Sequence, residues 1–72
     1  MSRKASEQDV LRVLAAGGDL LRWYSPQVFY TLQWPGHSAS VANATVDRLL
    51  AAGLITDASG ILELTAAGRA AH

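Results

Sequence analysis

Seventy-two residues suffice for one small domain, near the size at which a single core is only just large enough. Half the residues are hydrophobic and 17% are charged, which excludes a disordered chain, and the lack of cysteine excludes disulfides and thiolate metal sites. Six Lys and Arg balance six Asp and Glu, so the chain lacks the basic excess that gives a dedicated nucleic-acid binder most of its affinity.

No apolar run reaches the roughly 18 residues of a membrane span. The start, Ser2-Arg3-Lys4 followed by Glu7-Gln8-Asp9, lacks the apolar stretch of a signal peptide. A cytoplasmic protein with no membrane partner is therefore expected. There is no internal repeat or linker, so residues 1–72 read as one domain.

In chain order, Ser6 followed by Glu7, Gln8 and Asp9 predicts a helix start, a cap followed by acids where the helix dipole favours them. Val10, Leu11, Val13 and Leu14 supply its apolar side, Gly17-Gly18 its stop, and Arg12 a solvated position. All five aromatics follow within a dozen residues: Trp23, Tyr24, Phe29, Tyr30 and Trp34. Residues 20–24 and 28–34 read as two strands joined by a turn with Pro26 at its second position. The alternative is a short helix over 26–32, capped by Ser25 with Pro26 at its first position. Val, Phe, Tyr and Thr favour strands, so the hairpin is preferred. Alternation puts Val28, Tyr30, Leu32 and Trp34 on one face and Phe29, Thr31 and Gln33 on the other. Of the rings, Trp23, Tyr30 and Trp34 are expected in the core and Tyr24 and Phe29 outside it.

After the loop Trp34-Pro35-Gly36-His37, residues 38–52 read as a central helix capped by Ser38 or Ser40. Ala39, Ala42, Val46, Leu49, Leu50 and Gly53 share one face of it, and Ser40, Ala44, Asp47, Arg48 and Ala51 the other. Gly53 fits a left-handed C-terminal cap with Leu54 folding back onto Leu49. Strands over 54–57 and 61–64 flank the turn Asp57-Ala58-Ser59-Gly60. Thr65 then caps a last short helix over 66–71, weakened by Gly68.

The run Thr45-Val46-Asp47-Arg48-Leu49-Leu50-Ala51-Ala52-Gly53-Leu54-Ile55, followed by Leu62-Glu63-Leu64-Thr65-Ala66-Ala67-Gly68-Arg69, resembles bacterial winged helix-turn-helix proteins. The resemblance covers about the C-terminal half. It implies an α+β, winged-helix-like fold of order α-β-β-α-β-β-α, or α-β-α-α-β-β-α if the short helix forms. It also implies duplex-DNA binding in transcriptional regulation, with residues 38–52 as recognition helix and 55–64 as wing. The matching DNA-facing positions are Ser38, Ser40, Asn43, Ala44, Asp47 and Arg48, with Asn43 set to pair with adenine and Arg48 with guanine or a phosphate. Separately, Leu11-Arg12-Val13-Leu14-Ala15-Ala16-Gly17-Gly18 looks like the small YjhX-type proteins, described as toxins of a toxin–antitoxin pair acting on a topoisomerase.

The helix face is short of basic residues, with Asp47 offsetting Arg48, and the wing tip carries Asp57 where a basic residue is usual. A second function class therefore stands beside DNA binding: a protein-interaction module, homodimer or toxin-like inhibitor, using the segment 20–34 through Tyr24 and Phe29. Enzyme chemistry is not expected. His37 sits in a Pro-Gly loop, His72 is terminal, and no nucleophile triad, phosphate-cradling glycine loop or carboxylate pair stands out. No cofactor or metal is implied.

Overall fold

A computed structural model describes residues 4–24 and 27–71. Residues Ser25, Pro26 and His72, and the Arg3 half of the Arg3-Lys4 pair, lie outside the described residues, so the expected Pro26 turn is not among the features below. The elements run α1 (Glu7–Ala15), β1 (Asp19–Trp23), β2 (Phe29–Trp34), β3 (His37–Val41), α2 (Asn43–Ala51), β4 (Ile55–Ala58), β5 (Ile61–Leu64) and α3 (Ala66–Ala71). The fold is α+β, with one five-stranded antiparallel sheet of order β3-β2-β1-β5-β4. Among the described residues no helix is long and apolar enough to cross a membrane.

The first helix begins as its sequence dictates. The Ser6 hydroxyl accepts from the Asp9 amide at 3.2 Å, and the Asp9 carboxylate accepts from the Ser6 amide at 3.0 Å, a reciprocal capping box. These bonds and the Arg12 guanidinium, 2.9 Å away, hold the Asp9 carboxyl down at about 2, the Ser6 amide contributing most. The helix closes with the Gly17 amide on the Leu14 carbonyl (3.1 Å) and the Gly18 amide on the Val13 carbonyl (2.8 Å), the paired bonds of a Schellman ending.

The strands expected over 20–24 and 28–34 form as Asp19–Trp23 and Phe29–Trp34, which rules out the alternative short helix. Their β-branched and aromatic residues suit a pleated surface better than a helix. Val28, expected on the inward face, stands exposed ahead of β2. The expected central helix over 38–52 is too long at its start. Residues 37–41 form β3, paired with β2 from Trp34↔His37 to Tyr30↔Val41, and the helix begins only at Asn43. The two-residue turn Pro35-Gly36 returns the chain directly alongside β2, and the backbone groups of Ser38–Val41 pair with it instead of starting a helix. Alternation sets Ala39 and Val41 inward and Ser38 and Ser40 outward. Alanine is small enough to fit either period, so Ala39 and Ala42 did not discriminate between helix and strand. The N-cap of α2 is Ala42, with no side-chain cap bond, rather than either serine. The sheet thus gains a fifth strand, and three strands separate α1 from α2 where a helix-turn-helix carries a helix.

From Asn43 onward the expectations hold closely. Thr45, Val46 and Leu49 are buried. Gly53 adopts φ +74°, the Gly53 amide donates to Leu50 and the Leu54 amide to Leu49, each at 3.0 Å, completing a second Schellman ending. The β4–β5 turn places Ser59 and Gly60 both at positive φ, +57° and +88°, the two-residue type I′ geometry that matches strand twist. Thr65 caps α3, its hydroxyl accepting from the Gly68 amide at 3.0 Å and donating to the Gly53 carbonyl at 2.6 Å.

Gly68 proves a requirement of packing more than a weakness of the helix. A Cβ there would lie 2.1 Å from the Leu54 carbonyl oxygen and 2.7 Å from a Leu64 methyl. The bare glycine lets α3 lie directly on the corner that follows α2.

The core sits between the helices and the inner face of the sheet. Val10, Leu11, Leu20, Leu32, Val46, Leu49 and Leu62 are fully buried, with Tyr30 buried beside them and Trp34 packed half-buried against the cluster. An alanine-rich chain has here built its interior from leucine and valine. Most of its rings are left for elsewhere.

Candidate interaction surface

Alternation along each strand decides which side chains face away from the helices. Leu20, Tyr30, Leu32, Val41, Ile55 and Leu62 are buried and face inward. The complementary set faces out: Asp19, Leu21 and Trp23 on β1, Phe29, Thr31 and Gln33 on β2, Ser38 and Ser40 on β3, Thr56 and Ala58 on β4, Ile61 and Glu63 on β5. No described helix covers this face.

Its centre is aromatic. Trp23 and Phe29 are directly opposed across β1 and β2, with ring centroids 6.2 Å apart and planes within 14° of parallel. The Trp23 indole N–H donates to the Thr31 hydroxyl at 2.9 Å, so the ring is oriented as well as stacked. Yet Trp23 is 44% exposed and Phe29 42%. In register beside them lie Leu21 and Ile61, paired across β1 and β5, with Ile61 48% exposed. Three large apolar side chains held rigid and open to solvent on adjoining strands form a patch of the kind that marks a binding surface.

Tyr24 and Phe29, the two rings expected outside the core, are both exposed, Tyr24 at 64%. They do not share a surface, because Tyr24 follows β1 with the opposite parity. Trp23, expected inside, is a correction. Leu20 takes the inward position of that strand, and period two then sends Leu21 and Trp23 out together. Trp34 does turn inward, half-buried against the core and stacked on His37 at 5.4 Å.

The mid-strand charge Arg22 points inward and is satisfied there. Its Nε donates to the Tyr30 hydroxyl at 3.3 Å, its guanidinium lies 5.6 Å from the Tyr30 ring centroid, and Nη1 pairs with Asp57. Bonds to Tyr30 first, then to Tyr24 and Asp57, raise its already high pKa further. Asp57 is lowered by Arg22 and secondarily by the Gly60 amide, which donates to Oδ1 at 3.1 Å. Asp57, a β4 residue, is therefore one half of an internal clamp.

The six positions expected to read DNA are not gathered on one helix. Ser38 and Ser40 are exposed on β3, on the outward sheet face. Asn43, Ala44, Asp47 and Arg48 are exposed on α2. Asn43 donates to the Val28 carbonyl at 3.0 Å, tying the start of α2 to the head of β2. Arg48, for which no structural role was evident in the sequence, bonds Glu7 on α1 at 2.8 Å and so bridges the two long helices.

A shallow cleft between the α1–β1 and β2–β3 turns is lined by Asp19, Gln33, Trp34 and His37, with no Ser, Thr, Cys or Lys in its lining. Comparison of the chain with protein-family models, with curated proteins and with solved structures finds no match.

Proposed function

We propose that this chain is a non-catalytic protein-interaction domain that binds through the outward face of its sheet. The observation carrying the proposal is the stacked, oriented and solvent-open Trp23–Phe29 pair on a face that no described helix covers. Each ring is already more than half buried, so covering its remaining surface against a partner is worth roughly 1 kcal/mol, and a few such residues can still dominate an interface. The similarity of residues 11–18 to YjhX-type toxins, which implies inhibition of a protein target, fits the same reading.

Duplex-DNA binding draws support from the succession of α2 and the β4–β5 hairpin, which resembles a recognition helix and its wing. It draws less from the side chains, because Arg48 is engaged by Glu7 and Asn43 by Val28.

The test is a bait experiment with the wild type and the Trp23→Glu/Phe29→Glu variant run side by side. A protein retained by the wild type and lost by a variant that is still folded by circular dichroism is the expected result. Retention that survives the double replacement refutes the proposal. Saturable binding to a mixed duplex at low salt, weakened by Arg48→Ala, would move the function to α2.

A further inference from the structure

We infer that the partner of the open sheet face is a second copy of this chain, the two sheets stacked face to face about a two-fold axis over Leu21. The inference rests on the interaction reading above and names the occupant.

Size is the first support. A chain of 72 residues buries a modest fraction of its surface, and association is one of the usual remedies for so small a core. Here leucine and valine fill the interior, while Trp23, Phe29 and Ile61 stay 44%, 42% and 48% exposed on one face. Stacking two copies turns these side chains into a second apolar layer. The partner it needs is present wherever the chain is.

Nothing on the face resists being covered by its own likeness. The Trp23 indole N–H is already held by the Thr31 hydroxyl at 2.9 Å, so covering the rings leaves no ring donor unpaired. The chain carries no net charge. At the far end of the face, Asp19 and Glu63 border one cleft with Arg69 of α3, so each copy brings both signs there. Charge therefore selects neither a basic nor an acidic partner, and it does not keep two copies apart.

The geometry suits a closed pair. β1 is the middle strand of the five and Leu21 the middle residue of β1, so a two-fold axis over Leu21 gives the face its largest overlap with itself. Stacked sheets lie about 10 Å apart with strands within about 30° of one another, and the helices of both copies stay outside. Such a contact is isologous and stops at two. Five strands about 4.8 Å apart project to roughly 400 Å² per copy, and side-chain relief brings two copies to on the order of 1,000 Å². That is the low end of specific interfaces, which sets the expected Kd on the order of 10–100 μM.

The sheet edges fit an extended peptide less well. At β3 the Ala5 amide already donates to the Ser40 carbonyl at 2.9 Å. At β4, alternation counted back from the turn-closing pair Ala58↔Ile61 turns only Ile55 and Asp57 toward the open side. A peptide paired there would lie three strand spacings, about 14 Å, from β1 and would leave Trp23 and Phe29 uncovered.

The experiment is sedimentation equilibrium of the full chain from about 1 μM to about 1 mM. A reversible monomer–dimer equilibrium is expected, with a Tm that rises with protein concentration. Trp23→Glu/Phe29→Glu should be monomeric throughout while still folded by circular dichroism. Ile61→Lys, a single change on the adjoining strand, should weaken the dimer about tenfold or more and decides the matter if the double variant unfolds. Apolar contact carries the affinity, so about 1 M salt should change Kd by less than about threefold. A chain that stays monomeric to about 1 mM overturns the second copy, and the bait experiment then judges the interaction reading alone. A dimer that survives both replacements lies elsewhere, at an edge or on the helices, and overturns the face assignment. A dimer dissolved by salt overturns its apolar basis.

Discussion

Replacing Gly68 by alanine sets two effects against each other, and the structure decides between them. Helix propensity favours alanine by about 1 kcal/mol in a helix interior. Against that, the new methyl would sit 2.1 Å from the Leu54 carbonyl oxygen and 2.7 Å from a Leu64 side-chain carbon. The first neighbour is backbone, held by the Thr65 amide at 3.0 Å, so it cannot rotate away as a side chain would. Relief requires α3 to lift from the corner, loosening the Thr65 bonds to Gly53 and Gly68. Overpacking of this kind costs about 1–3 kcal/mol, and a backbone neighbour belongs at the upper end. The net expectation is a destabilisation of about 2 kcal/mol, or roughly 8–16 °C in Tm for a domain of this size. Urea unfolding followed by circular dichroism measures it, with Ala67→Gly as the propensity control on the same helix. A Gly68→Ala variant as stable as the wild type, or more so, would refute the close approach and leave propensity as the only term.

Phe29→Thr, which opens the exposed stack, should cost about 1 kcal/mol, against roughly 2–5 for Leu32→Ala three pairs along the same hairpin; comparable losses in urea titration would mean that the outward rings belong to the core. The Asp9 carboxyl is held at about 2 in the folded state against an ordinary 3.8, so its stabilisation is complete above about pH 4 and fades as pH falls toward 2. Asp9→Asn should flatten that part of the stability–pH curve, and an unchanged acid limb counts against the capping box. Ser59 stands at φ +57°, so Ser59→Asn should stabilise the hairpin by a few tenths to about 1 kcal/mol, read as a higher urea midpoint. Arg48→Ala should cost no more than about 1 kcal/mol, since both partners of the Glu7 bridge are substantially exposed, with the loss shrinking in high salt.

Elements with a local signal were legible in the sequence. The Ser6 cap, the glycine stops of α1 and α2 and the Thr65 cap are written in residues within a few positions of one another, and each forms as expected, while the turn expected over 57–60 forms one residue later with Ser59 and Gly60 at its centre. The strand β3 was not legible, because Ser-Ala-Ser-Val satisfies both periods and only pairing with β2 chooses between them. That choice moved Ser38 and Ser40 from a helix to the sheet and took the expected DNA surface apart. Trp23 was misplaced for a related reason. Nothing local reveals that Tyr30 and Asp57 accept the Arg22 cation inside, and with Arg22 inward period two sends Trp23 out. Contacts that span the chain, such as Arg48 to Glu7 and Gly68 to Leu54, leave no trace in spacing. They needed the tertiary structure.

The sheet order has a consequence for how this domain assembles. Strands β1, β2 and β3 form by successive local reversals, as do β4 and β5, so each group closes only short loops. The two groups meet along a single seam, Leu20↔Leu62 and Leu21↔Ile61, extended by the Arg22 amide on the Gly60 carbonyl at 3.1 Å. Closing that seam brings together residues some forty positions apart, and it is the most entropically demanding step of folding. Leu20 and Leu62 lie on its inner side, Leu21 and Ile61 on its outer side. Any ligand that touches both Trp23 and Glu63 must straddle this join. Such a ligand would act as a clasp between two halves of the chain and slow their separation.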